Sequence, residues 1–148
     1  MDSGWGFLGY VALKYLAYVM WCYVGVGLLR SERTFRSALG FGVLRLMLGV
    51  LFGFGVFLIG GMAHLEVPQS TFQMYLEIYV PVRWIEWGVM ALLMRREDRG
   101  AAALLIGGDN KSRFWRIGGI VVSIVADLPV LLSHSGAREM LPVGRFLC

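Results

Sequence analysis

Four stretches of this sequence run for roughly 20 residues each with few charges: 5–29, 37–62, 71–94 and 117–134. That is the length an α-helix needs to cross the hydrocarbon core of a bilayer, at about 1.5 Å per residue. No water is present there to satisfy backbone N–H and C=O groups, so a segment that spans as a single run has to be helical. The pattern predicts an all-α integral membrane protein, a bundle of four transmembrane helices making one domain over residues 1–148. The fourth run is the shortest. Within the long connection at 95–116, the apolar stretch 101–106 is too brief to span and reads as an interfacial turn of helix or an extension of the third helix.

Composition agrees with this. The chain is 57% hydrophobic and 16% charged, against about a quarter charged for a soluble domain, which excludes disorder, collagen and coiled coil. Two cysteines, Cys22 inside an apolar run and Cys148 at the end of the sequence, are too few for a disulfide framework and have no metal-type spacing. The segment before the first run has no basic residues, and the run is too long for a signal-peptide core, so no cleavage is expected.

Orientation follows from the cations in the connections. Residues 30–36 and 95–116 together hold nine Lys and Arg; 63–70 holds none and the tail 135–148 only Arg138 and Arg145. The bias predicts that the first and third connections face the cytoplasm and both termini face outward, to the periplasmic or extracellular side. The formal net charge of +4 then reflects topology and contact with anionic lipid, and nucleic acid is not an expected partner. The expected location is a cell membrane crossed several times, the bacterial inner membrane being inferred from compactness.

Six ionisable residues remain inside the runs: Lys14, Arg45, Glu77, Arg83, Glu86 and Asp127. An unpaired charge at the bilayer centre costs about 2.5–3.5 kcal/mol, so three cations and three acids should face inward and neutralise one another. Depth along each run narrows the pairing. Arg45 and Glu86 both fall about two-thirds of the way inward, and Lys14 and Asp127 about one-third. Arg83 sits one helical turn from Glu86, and Glu77 lies nearer the outer face within reach of Lys14. Two readings are open: a path for ions, protons or an anionic solute, or structural ion pairs that hold the bundle in register.

The third run is the densest. Pro81 cannot donate to the carbonyl of Glu77, so a kink is expected there. The succession Arg83-Trp84-Ile85-Glu86-Trp87 resembles the third helix of microbial rhodopsins, which orders an arginine, an aromatic, an acid and a second aromatic in the same way. That family is built on seven helices and a late-helix lysine that carries retinal. Here there are four runs, and Lys14 lies on the first, so the resemblance implies neither that fold nor that cofactor.

Small residues mark expected helix contacts. Gly49 and Gly53 share a face with Arg45 on the second run, and Gly119 and Ser123 share one with Asp127 on the fourth. Tyr10, Lys14, Tyr18 and Trp21/Cys22 form an aromatic and lysine face on the first run that could meet it. No cofactor is expected. His64 and His134 lie at run ends rather than bracketing a haem, and there is no zinc spacing, nucleophile elbow or phosphate loop. The expected function is non-enzymatic: a subunit or scaffold of a larger membrane complex, with lipids and other membrane subunits or copies of itself as partners. The alternative is a small homo-oligomeric channel or transporter.

Overall fold

The computed structural model describes residues 3–30, 34–62, 79–95 and 108–132. They form four helices: α1 (Ser3–Leu29), α2 (Phe35–Met62), α3 (Val80–Met94) and α4 (Asn110–Leu132). The fold is all-helical, and among the described residues two helices contain segments long and apolar enough to cross a membrane, Leu8–Leu29 of α1 and Phe35–Gly55 of α2. Only 33% and 28% of the most apolar stretch of each is buried against the rest of the chain, so neither is an enclosed core helix. The described α3 covers 15 residues and carries Arg83 and Glu86, while α4 opens on the polar sequence Asn110-Lys111-Ser112-Arg113.

The helix ends have local causes. The α1 turn closes with the Arg30 N–H donating to the Val26 carbonyl at 3.0 Å, and α2 starts from the Thr34 carbonyl, which accepts from Ala38 N–H at 3.2 Å. α4 begins seven residues before the apolar run at Ile117, because Gly108 turns the chain with a φ of 64° and Asp109 caps the helix that starts there. The Asp109 carboxylate accepts from Ser112 N–H at 3.2 Å and its carbonyl from Arg113 N–H at 3.0 Å. At the other expected boundary, Pro81 falls in the first turn of the described α3. Glu77 and the rest of 71–78, on which the expected kink depends, lie outside the described residues.

α1 packs against both α2 and α4, α3 closes the ring against α4 and α2, and α1 and α3 face each other across the diagonal. Two tryptophans fasten α1 to α4. Trp21 Nε1 donates to the Trp115 carbonyl at 3.0 Å, and Trp115 Nε1 donates to the Trp21 carbonyl at 3.2 Å. Each indole lies against a glycine of the opposite helix, Trp21 on Gly118 and Trp115 on Gly25, where any Cβ would overlap the ring. These contacts hold two long helices close enough for each indole to reach the other helix's backbone.

The resulting bundle has two interior halves. Toward the Arg30 and Arg95 end the core is apolar and aromatic, with Val26, Met90, Ala91, Met94, Trp87 and Trp115. Toward the other end it is charged: Lys14, Arg45, Arg83, Glu86 and Asp127 are all buried. The outside is the reverse. Leu16, Met20, Met47, Leu51, Phe114 and Val125 are exposed, Met20 by 72% and Phe114 by 66%.

Candidate functional site: a buried ion network

Five of the six ionisable residues expected in the interior meet in one cluster, with at least one from each helix. Lys14 comes from α1, Arg45 from α2, Arg83 and Glu86 from α3, and Asp127 from α4. Both depth-matched contacts are made. Lys14 Nζ lies 2.7 Å from Asp127 Oδ1, and Arg45 Nη2 bonds Glu86 Oε2. Helical spacing explains the convergence: Tyr10, Lys14 and Tyr18 stand four apart on α1, and Gly119, Ser123 and Asp127 four apart on α4.

Asp127 is the hub. Its Oδ1 accepts from Lys14 Nζ and from Tyr10 Oη at 2.6 Å, and its Oδ2 accepts from Arg83 Nη2 at 3.1 Å. Lys14 Nζ also donates to Tyr10 Oη at 2.9 Å. Arg83 bridges the cluster's halves. Its Nη1 donates to Tyr18 Oη at 3.1 Å and stands 3.7 Å from Glu86 Oε2. Sequence spacing gives Arg83 only Glu86 one turn away, and misses Asp127. The long guanidinium arm lets one arginine reach a carboxylate on a neighbouring helix at a different depth, which a comparison of Cα depths cannot register.

Arg45 is enclosed by aromatic faces. Its guanidinium carbon lies 4.9 Å from the ring centres of both Tyr18 and Trp87, so its charge is met by two π-systems as well as by Glu86. Trp87 is itself anchored: its Nε1 donates to Ser123 Oγ at 3.3 Å, its ring sits on Gly119, and it meets Tyr18 and Trp115 edge-on. Of the expected contact glycines, Gly49 is buried within the bundle and Gly53 half-buried. Gly49 lies on the α2 face that carries the buried Arg45. Pro81 is exposed.

Sequence reasoning also passes over a second set of polar contacts at the Arg95 end. Arg95 pairs with Asp109 at 2.5 Å, and the buried Arg116 lies over the Trp84 ring at 5.4 Å. The only signal for these was the capping pattern at Asp109, since the residues belong to a segment that counts as a connection by hydropathy.

The chemistry open to the main cluster is limited by its own pairing. Each carboxylate is engaged by at least one cation, Asp127 by Lys14 and Arg83 and Glu86 by Arg45. Among the described residues no group of three His, Cys, Asp or Glu side chains could hold a metal ion. Three buried polar atoms, Arg45 Nε, Arg45 Nη1 and Glu86 Oε1, form no hydrogen bond. No known protein family, curated protein or solved structure matches this chain.

Proposed function

We propose that this chain is a four-span integral membrane protein of a bacterial inner membrane, with both termini outward. In this reading it acts without catalysis as a subunit or scaffold of a larger membrane complex. One observation carries the reading: the polarity of the bundle is inverted, with buried charges facing one another and large apolar side chains facing out. In water that arrangement would combine the desolvation of five ions with a wide exposed apolar surface. In a bilayer the same surface meets hydrocarbon, and polar side chains have only the interior to turn to.

The scaffold role is supported by how the cluster is built. A buried ion pair adds little net stability compared with an apolar pair of the same shape, but one partner without the other is strongly unfavourable. Lys14, Arg45, Arg83, Glu86 and Asp127 therefore act as a register device that admits one alignment of the four helices. A fixed alignment gives the outer surface a fixed shape for other subunits to recognise. Purification in a mild detergent with identification of co-purifying proteins tests this. Unlike membrane subunits recovered in constant ratio support the reading, whereas the chain recovered alone overturns it.

A second reading is a homo-oligomeric channel or transporter for ions, protons or a small anionic solute. It is favoured by the three buried atoms of Arg45 and Glu86 that lack hydrogen-bond partners, since such groups commonly bind water or an ion. Recovery as copies of itself, with ion or proton flux in liposomes that Glu86→Gln abolishes, would select this reading over the first.

A further inference from the structure

We infer that the Arg30/Arg95 end of the bundle is a binding surface for anionic phospholipid headgroups, recognised by basic side chains set directly on an apolar belt. The inference rests on the reading of the chain as a membrane protein and adds which lipid class it holds and where.

Helix packing brings four chain ends together here: the end of α1 at Arg30, the start of α2 at Phe35, the end of α3 at Arg95 and the start of α4 at Asn110. Arg30 lies over the Phe41 ring at 5.8 Å, joining α1 to α2; Arg95 bonds Asp109, joining α3 to α4; and the paired tryptophans join α1 to α4. Among the described residues, this end carries Arg30, Arg36, Arg95, Lys111, Arg113 and Arg116 against the single acid Asp109. In the sequence, the connections 30–36 and 95–116 hold nine Lys and Arg and four Asp and Glu, an excess larger than the net charge of +4 for the whole chain.

The described cations divide by position. Arg95 is committed to Asp109 and Arg116 is buried on Trp84. Arg36, Lys111 and Arg113 are exposed. Immediately beside them in sequence stand exposed apolar side chains, Phe35 and Phe114, with Leu28 and Ile117 completing the belt. Cations bordering apolar surface match the two chemistries of a phospholipid, a phosphate on acyl chains. A zwitterionic lipid brings its own cation and leaves the excess unbalanced; an anionic one does not. Duplex DNA would balance the charge, but its bases are stacked inside the helix and leave no face to set against Phe35 and Phe114.

The test is native mass spectrometry of the delipidated protein titrated with phosphatidylglycerol or phosphatidylcholine. The variant is Arg36→Gln/Lys111→Gln/Arg113→Gln, three exposed positions. The control is Arg138→Gln/Arg145→Gln, which removes cations from the tail. At low salt the wild type and the control should retain phosphatidylglycerol in preference to phosphatidylcholine. The triple variant should lose on the order of 100-fold of that preference, at about fivefold per cation. Equal retention of the two lipids by the wild type, or an unchanged preference in the triple variant, overturns the inference, as does duplex DNA displacing the lipid. Alkaline extraction of native membranes separates this failure from a wider one. A chain that stays in the membrane but has no lipid preference loses only the headgroup site, whereas a chain extracted into the supernatant loses the membrane reading as well.

Discussion

Asp127 shows what one buried carboxylate can organise. It receives Tyr10, Lys14 and Arg83 from two other helices, so replacing it leaves two cations without their nearest counter-charge. Asp127→Asn should lower the yield of folded protein in detergent more than Lys14→Met, which still leaves Arg83 and Tyr10 on the carboxylate. Size-exclusion recovery and thermal unfolding measure the difference. For the Arg45–Glu86 pair, removal of either partner costs about 3–5 kcal/mol, while removal of both also removes the penalty. Arg45→Leu and Glu86→Leu should each reduce recovery, and the double substitution should restore much of it; a double variant no better than the worse single would reject the coupling. The depth rule made these two pairs readable in the sequence, because a helix converts residue number directly into height. It did not reveal the Arg83–Asp127 contact, or the aromatic enclosure of Arg45, because both depend on side-chain reach and on which helices are neighbours.

Between helices, tryptophan and glycine set the spacing. Trp87 rests on Gly119 and Trp21 on Gly118, and a Cβ at either position would overlap the ring; at Gly40 an added methyl would meet nothing within 4 Å. Gly119→Ala is expected to destabilise the bundle by about 1–3 kcal/mol, the usual cost of overpacking, and Gly40→Ala to leave it unchanged, as read by thermal unfolding in one detergent. Gly49→Leu with Gly53→Leu should abolish folding of the single chain rather than merely dissociate copies, because Gly49 is buried inside the bundle. Small-xxx-small spacing identified these residues as contact points, but periodicity alone does not say whether the partner is in the same chain. The early start of α4 was hidden for a different reason. A reading by apolar run ends a helix where polarity begins, whereas the Asp109 cap extends α4 through Arg113 and Arg116. Asp109→Ala removes that cap and the Arg95 pair together, and should fray the first turn of α4 in hydrogen exchange.

At the scale of the molecule, the proposed orientation rests on the charge distribution and the proposed bilayer setting on the inverted polarity. The proposed topology predicts that Cys148 reacts with a membrane-impermeant thiol reagent on intact cells; reaction only after the membrane is opened would reverse the orientation. The central claim, that the outer surface of the helices faces hydrocarbon, is tested most directly with nitroxide labels. They would be placed singly at Met20, Met47 and Val121 in protein reconstituted into bilayers, with Cys22 and Cys148 replaced. These three positions lie on α1, α2 and α4 and are all exposed. The quantity to measure is the collision rate of each label with lipid-soluble oxygen relative to a water-soluble nickel chelate. Oxygen collisions should dominate at all three sites, and dominance of the nickel chelate at those sites would contradict the account.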